Sequence, residues 1–158
     1  FTSKPIEAED LQAILHAANE APSAGNLQAY RIYPVRDPAT KEALGEAALG
    51  QGFLARAPVV LVFCADPERN RRYGERGRDL YSVQDPTVAV AYAQLAATAV
   101  GLSTCWVGAF DETEVRRIMN LPGEERPVAL LPIGEAAERP LHPPRREIDD
   151  LVREFRQS

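Results

Sequence analysis

The chain has few of the residues that reactive or metal-binding sites require. Its 158 residues include two cysteines, Cys64 and Cys105, and two histidines, His16 and His142. Both cysteines lie in apolar runs typical of strands, so we expect a pair of buried reduced thiols, since a disulfide framework or a zinc site needs more partners. The histidines are isolated, and neither is expected to act as a catalytic base.

Several motifs of common enzymes are absent as well. The sequence has no HExxH and no GxSxG, and neither GxGxxG nor GxxxxGK(S/T) follows a predicted strand. It therefore supports no zinc protease, no nucleophile elbow, no Rossmann site and no P-loop. Hydrolysis is disfavoured without a strong nucleophile or a metal cluster. An enzyme whose bound cofactor carries the chemistry needs few reactive side chains, and this class is favoured.

Charge and length narrow the class further. The net charge of −5 argues against a general surface for nucleic acid or anionic membranes. With 45% hydrophobic residues, the chain can bury the core of one domain, so we expect a single domain over residues 1–158. No secretory pattern opens the sequence, and we expect a cytoplasmic protein.

One uncharged run, residues 86–110, is long enough to span a bilayer. It is rich in Ala, Thr, Ser and Gly and has Gln94 in its middle, so its insertion into a membrane would be unfavourable. A helix followed by a strand, both buried in protein, fits better. Alanines surround this helix, so we expect it to be buried either centrally or against a second subunit.

Hydrophobic periodicity predicts a mixture of helices and strands, which indicates an α+β sandwich. Helices are predicted over 7–20, 38–49, 85–100 and 111–119, and strands over 28–36, 57–65, 104–110 and 127–134. Pro34 favours an edge position for the first strand. The continuous apolar run of 57–65 is typical of a strand covered on both faces.

Residue types at the helix ends predict where the helices begin and stop. Asp37 and Asp111 are expected N-caps, and Asp85 or Thr87 is expected to cap the long helix. Gly101 should end that helix.

Two segments fall outside this pattern. Residues 66–84 carry five arginines and two glycines; we expect a solvated, partly helical excursion, with a lid over a site as the alternative. Residues 137–158 begin rich in proline and end in a short amphipathic helix. They cannot pack a core alone, so we expect an extended arm over the body or over a partner subunit.

The most informative stretch is the turn after the first helix, 22–30, which reads PSAGNLQAY. It supplies polar side chains at Ser23, Asn26 and Gln28 where the backbone turns sharply between two rigid elements. Loops held in this way are where binding groups tend to lie. A second stretch, GLSTCWVGAF at 101–110, follows the long alanine-rich helix, and PVALLPIGEAAERP at 127–140 precedes a basic tail.

In order and spacing, these stretches resemble the FMN-dependent nitroreductase family in its small, single-domain form, over almost the whole chain. The resemblance implies a three-layer sandwich with a mostly antiparallel central sheet flanked by helices. It also implies a homodimer with FMN at the interface, and ping-pong turnover between NADH or NADPH and a small acceptor such as a nitroaromatic or a quinone.

The resemblance also implies which residues bind the cofactor. Pro22, Ser23, Ala24 and Asn26 correspond to flavin contacts made from the second subunit, and Gln28 is expected to hold that loop. Other matched positions lie further along the chain. They are a backbone donor to flavin N5 within Val107, Gly108 and Ala109, a polar contact to the ring at Asp85, and phosphate contacts at Arg145 and Arg146. Trp106 is expected in the core.

One departure keeps alternatives open. Family members usually carry an Arg-x-Ser-x-Arg segment just before the position of Phe1, and its arginines contact the phosphate and the ring. Either such residues lie upstream, or FMN is bound more weakly, with Arg145 carrying the phosphate almost unaided. The alternatives in function are a flavin-dependent dehydrogenase or oxidase of the azoline type, a dehalogenase, and a flavin-binding dimer without turnover.

Overall fold

A four-stranded antiparallel sheet forms the middle layer of the computed structural model, which describes residues 1–139, 141 and 143–155. In spatial order its strands are β1 (Tyr30–Val35), β2 (Val59–Ala65), β4 (Arg126–Gly134) and β3 (Ser103–Thr104). Every residue of β2 is buried, as the apolar run predicted. The edge position predicted for the first strand is also confirmed.

The alternation of side chains along β2 divides the core into two halves. Val59, Leu61 and Phe63 pack with α1 (Ala8–Asn19) and α5 (Ser82–Ala99) on one face of the sheet. Val60, Val62 and Cys64 pack on the other face with α2 (Pro38–Ala47), the short α3 (Phe53–Arg56) and α6 (Glu112–Met119). Helices on both faces make three layers, which confirms the α+β sandwich.

The side-chain signals at the helix ends are largely confirmed. The Asp37 carboxylate accepts a hydrogen bond from the Thr40 amide at 2.8 Å, and Asp111 accepts one from the Glu114 amide at 3.0 Å. Gly101 follows the end of α5 with φ +78°, a conformation that glycine adopts without strain.

The predicted start of α5 is wrong. The helix begins at Ser82, so Asp85 and Thr87 lie inside it and cap nothing. The reason is that the chain enters α5 from a helical path, through α4 (Gly74–Arg76) and a π-helical turn, Gly77–Tyr81. The backbone groups that a cap would satisfy are already bonded there.

The third predicted strand is shorter than expected. Only β3 pairs as a strand, and the rest of 104–110 touches the sheet through a single bridge between Val107 and Leu130. The chain leaves the ladder after Thr104 and returns to it at Val107. Trp106, in the gap, is 38% exposed, so its predicted core position is wrong.

Two apolar surfaces remain open to solvent. The outer face of α5, made of Ala91, Tyr92, Leu95 and Ala99, is exposed, with Leu95 at 72%. Central burial of the whole helix is therefore wrong for this side. The C-terminal arm (137–158) contains α7 (Ile148–Leu151) and shows Phe155 89% exposed. Among the described residues, no helix is long and apolar enough to cross a bilayer.

Candidate functional site

The turn between α1 and β1 is braced by its own side chains. Ala24–Asn26 form a short 3-10 helix, with Gly25 and Asn26 in the left-handed region at φ +56°. The Ser23 hydroxyl accepts hydrogen bonds from the Gln28 amide at 3.0 Å and from Gln28 Nε2 at 3.3 Å. Gln28 Nε2 also donates to the Asn26 carbonyl at 2.8 Å. Gln28 thus closes the loop on itself.

A buried carboxylate fastens this loop to α5. Asp85 is 3% exposed, and its Oδ1 accepts a hydrogen bond from the Ala24 amide at 2.8 Å. Its Oδ2 accepts from the Ala29 amide at 3.3 Å and from Asn70 Nδ2 at 3.1 Å. Hydrogen bonds to a charged group contribute about 1.5–3 kcal/mol each. The structure gives Asp85 a positioning role, and its predicted ring contact stays a prediction.

The negative charge of Asp85 also acts on the neighbouring strand. Burial, followed by the charge of Asp85, raises the pKa of the Tyr30 hydroxyl above its usual value. That hydroxyl donates to the Ala18 carbonyl at 2.9 Å. A neutral tyrosine therefore ties β1 to the end of α1, and the loop between them is held at both of its ends.

A cavity of about 550 Å³ lies beside the loop. The loop residues Pro22, Ser23, Ala24 and Gly25 form one side of it. The other lining residues come from the excursion, the π-helical turn and α5: Tyr73, Tyr81, Gln84, Asp85, Thr87 and Val88. The structure thus brings four predicted residues, Pro22, Ser23, Ala24 and Asp85, to one cavity.

The arginine-rich excursion covers the loop. It is helical throughout most of 67–81 and largely exposed, as expected. Arg69 Nε donates to the Leu27 carbonyl at 3.1 Å, and Arg72 Nη2 donates to the Gly25 carbonyl at 3.2 Å. A side chain at Gly25 would come within 2.1 Å of both Arg72 and Tyr73. These two atoms end flexible side chains and can shift, so glycine is favoured here mainly by its φ of +56°.

The second predicted group lies in a different hollow. Gly108 lines a smaller depression together with Val83 of α5. Val107, which precedes it, is buried and exchanges two backbone hydrogen bonds of 3.0 Å with Leu130. Within the part of the chain that the structure describes, the exposed amides of Gly108 and Ala109 donate no hydrogen bond. They are free donors on a fixed backbone.

The predicted phosphate contacts lie in the arm. Arg145 and Arg146 are both exposed, and Arg146 Nη2 donates to the Asp150 carbonyl at 2.9 Å. Within a single chain, neither arginine lines the cavity beside the loop. Asn26 is exposed at the loop tip. His142 lies outside the described residues.

The remaining titratable candidates are not reactive. Burial raises the pKa of the Cys64 thiol to about 12 and that of Cys105 above its usual value. Both are free cysteines, as expected, but only Cys64 is buried and Cys105 is partly exposed, so the predicted burial of Cys105 is wrong. Thiols held neutral in this way are poor nucleophiles. Among the described residues no group of three or more potential ligands could hold a metal ion.

Sequence reasoning missed three residues of the site. Tyr73 and Tyr81 line the cavity, and the buried Asn70 links the excursion to Asp85. The available signal was the presence of two tyrosines in an otherwise charged stretch. No local pattern indicated that Asn70 is buried.

The three-layer sandwich and the braced loop define a nitroreductase-like α+β protein. Comparison with known proteins agrees with this class. The model of the Nitroreductase family matches residues 1–55 and 46–135. The chain belongs to this family.

Individual relatives span different shares of the chain. A Thermus thermophilus protein named NADH dehydrogenase is 36% identical over 166 residues, covering 87% of this chain and 81% of that protein. A Bacillus subtilis protein named FMN reductase (NAD(P)H) is 32% identical over 159 residues, covering 92% of this chain. The chain spans 64% of that protein's length.

A solved structure shows the same fold. The NADPH:FMN oxidoreductase from Vibrio harveyi, complexed with NAD+, superposes with a TM-score of 0.90 at 25% identity. The match covers 100% of this chain and 72% of that one.

Proposed function

We propose that this protein is an FMN-dependent oxidoreductase that transfers electrons from NADH or NADPH to nitroaromatics, quinones or related small acceptors. The observation that carries the proposal is the braced loop Pro22–Gln28 beside a cavity of about 550 Å³, in a member of the Nitroreductase family. The names of its relatives, FMN reductase and NADPH:FMN oxidoreductase, point to the same chemistry. Because NAD(P)H is the donor, we place the reaction in the cytoplasm.

The residues present fit FMN. When bound, the cofactor accepts a hydride from NAD(P)H and passes electrons to an acceptor in a separate step, which is chemistry that the side chains of the site do not supply. The free amides of Gly108 and Ala109 would hold the electron-rich N5 edge of the ring. Gly108 has no side chain to keep a ring away from its backbone.

Other residues would hold the rest of the cofactor. Ser23 and Asn26 offer polar groups at the ring, on the loop that Gln28 and Asp85 keep rigid. Arg145, with Arg146, suits the phosphate, because the guanidinium fork matches its oxygens. The arm must carry these arginines to the site.

We further propose a homodimer with two equivalent sites at its interface. The outer face of α5 and the arm both expose apolar side chains, among them Leu95 at 72% and Phe155 at 89%. Burying them against a second copy would remove this surface from water. It would also let the loop of one subunit complete the site formed by Gly108, Ala109 and the arm of the other.

A spectral titration tests the function. Purified protein is mixed with FMN, separated from free flavin, and then given NADH or NADPH without oxygen. We expect retained flavin whose visible absorption bleaches with at least one donor. Ala109→Pro removes one proposed N5 donor and should slow bleaching in a folded variant.

The other outcomes have definite meanings. Retained flavin that neither donor bleaches would favour an oxidase or dehydrogenase of the azoline type, or a dehalogenase. No retained flavin would contradict the proposed function. A folded Ala109→Pro variant with the bleaching rate of the unchanged protein would exclude the assignment of that amide.

A further inference from the structure

Part of the wall of the cavity beside the loop is aromatic. Tyr73 and Tyr81 both line it, and their rings meet edge to face with centroids 5.5 Å apart and an interplanar angle of 77°. Tyr73 is 38% exposed, so its ring is available to a ligand. A planar ring can pack against such a wall, because aromatic side chains offer a large surface at a small cost in conformational entropy.

An arginine guanidinium contacts the ring of each of these tyrosines. The Arg72 guanidinium carbon lies 4.9 Å from the centroid of the Tyr73 ring, and its Nη2 donates to the Tyr73 hydroxyl at 2.9 Å. Arg76 lies 5.5 Å from the Tyr81 centroid and donates from Nε to the Tyr81 hydroxyl at 3.0 Å. Two cations thus contact the aromatic residues of the cavity. Neither arginine lines the cavity itself, and Arg72 also lines a separate hollow with Asp66 and Glu68.

These two cations differ from Arg71 and Arg78 of the excursion, whereas Arg69, like them, donates to a neutral oxygen, the Leu27 carbonyl. Arg71 pairs with Glu68 at 3.2 Å, and Arg78 pairs with both Glu68 and Glu124. Arg72 and Arg76 instead donate to neutral oxygens, and among the described residues no carboxylate lies within 4.0 Å of either. Their charge is therefore not neutralised by a direct ion pair.

The carboxylate that lines the cavity does not offset this charge directly. Asp85 is buried, and its two oxygens accept hydrogen bonds from Ala24, Ala29 and Asn70. An arginine that is held in place keeps donors for an incoming anion.

We propose that this tyrosine–arginine wall (Arg72, Tyr73, Arg76 and Tyr81) selects planar aromatic acceptors that carry an anionic substituent. The ring packs on the tyrosines, and the anion is bound by Arg76 and Arg72. The inference rests on the proposed function, and it adds the charge of the substrate. For a quinone sulfonate, NAD(P)H gives up a hydride, and that hydride with one proton converts the quinone to the hydroquinone.

The test compares two quinones in the half-reaction that follows flavin reduction. The FMN-loaded enzyme is reduced anaerobically and mixed with either 1,4-naphthoquinone-2-sulfonate or neutral 2-methyl-1,4-naphthoquinone. Arg76→Gln is the first variant, because Arg76 does not contact the loop. We expect about a tenfold loss in the second-order rate constant for the sulfonate and less than about twofold for the neutral quinone. Comparing each quinone across variants cancels their difference in redox potential.

Arg71→Gln is the matched control. It removes the same charge from the same excursion, but at a residue paired with Glu68, and it should leave the ratio of the two rate constants unchanged. If Arg71→Gln lowers the sulfonate rate as much as Arg76→Gln does, general surface charge explains the effect and the proposal is overturned. Equal losses for both quinones in Arg76→Gln would also overturn it.

Two further measurements are needed. One distinguishes an anionic acceptor from the phosphates of NADPH, and the other distinguishes failure of this proposal from failure of the proposed function. If Arg76→Gln slows reduction by NADPH and leaves the sulfonate reaction unchanged, the wall binds the phosphates of the donor and the proposal is wrong. Calorimetric binding of naphthalene-2-sulfonate, which cannot be reduced in this way, should weaken about tenfold in Arg76→Gln. A protein that binds this sulfonate but bleaches no flavin would contradict the proposed function alone.

Discussion

The loop after α1 and the C-terminal arm are both assigned to cofactor binding, yet they differ in what holds them. The loop is complete within one chain, since Gln28 and Asp85 bond its backbone and its serine. The arm leaves Leu141 95% and Phe155 89% exposed. The difference supports the proposal that a single chain preorganises one part of the site and that a second subunit completes the part at the arm.

The largest effect is expected from a charge on the outer face of α5. Leu95→Arg would bury an unpaired cation in the proposed dimer interface, at a cost of about 3 kcal/mol or more, which is roughly a hundredfold in the dimer dissociation constant. Sedimentation should show monomers, and FMN should be lost with the dimer. Leu49→Arg is the control, because Leu49 is 77% exposed outside this face. A dimeric Leu95→Arg protein would contradict the proposed interface.

Deletion of the C-terminal arm tests whether the arm contributes to the dimer and to FMN binding. Deletion of the chain from Pro140 onward should weaken dimerisation and FMN retention together, because the arm is proposed to lie over the partner and to carry Arg145. Residues 1–139 should stay folded, as measured by their thermal unfolding transition. An unchanged dimer in size-exclusion chromatography would show that the arm has no such role.

A smaller effect is expected when the brace of the loop is removed. Asp85→Ala leaves the buried Ala29 amide and Asn70 without their acceptor, and should lower the free energy of unfolding by about 3 kcal/mol. Asp85→Asn keeps an acceptor and should lose less. Hydrogen exchange at the Ala24 and Ala29 amides should accelerate in both variants, with the dimer retained. Unchanged protection at these amides would contradict the positioning role.

The smallest effect concerns alkaline pH and the core behind the site. Burial raises the pKa of Cys64 from 9.0 to about 12. The folded state therefore keeps this proton where the unfolded state loses it. Its contribution to stability is present below about pH 9 and is lost as pH rises toward 12.

Cys64→Ala tests this linkage. Between pH 9 and 11 the free energy of unfolding should fall less steeply with pH in this variant than in the unchanged protein. The difference in slope should correspond to about one proton. Tyr33 serves for comparison, because burial followed by its hydrogen bond to Glu125 raises its pKa to about 12 as well. Equal slopes for Cys64→Ala and the unchanged protein would contradict the assignment.

The parts of the fold that the sequence predicted are those with local causes. The apolar run of β2 favours burial in the middle of the sheet. Asp37 and Asp111 each cap a helix by accepting a hydrogen bond from the amide three residues further along the chain. The prediction failed at the start of α5, where Asp85 before a proline has the local pattern of a cap. Its actual partners, Ala24 and Ala29, lie more than fifty residues away, and no local rule reports them.

The candidate site, like the fold, was predictable only where its features have local causes. The polar turn around Ser23 could be found because a loop between rigid elements is a common binding position. Its aromatic wall could not, because it depends on how the π-helical turn that contains Tyr81 packs on the segment before it. A side chain at Gly77 in that turn would come within 2.2 Å of the Asn70 carbonyl and 2.8 Å of the Tyr73 Cβ. Such contacts depend on the folded path of the excursion and not on periodicity.

The most direct test of the account is sedimentation of FMN-loaded protein recorded at both a protein and a flavin wavelength. We expect a single species of twice the 17.4 kDa of one chain, carrying all the bound flavin at one FMN per chain, and flavin that bleaches on addition of NADH or NADPH. Flavin that sediments with a stable monomer would contradict the shared site, because a single chain would then complete the cofactor site without the loop and arm of a partner.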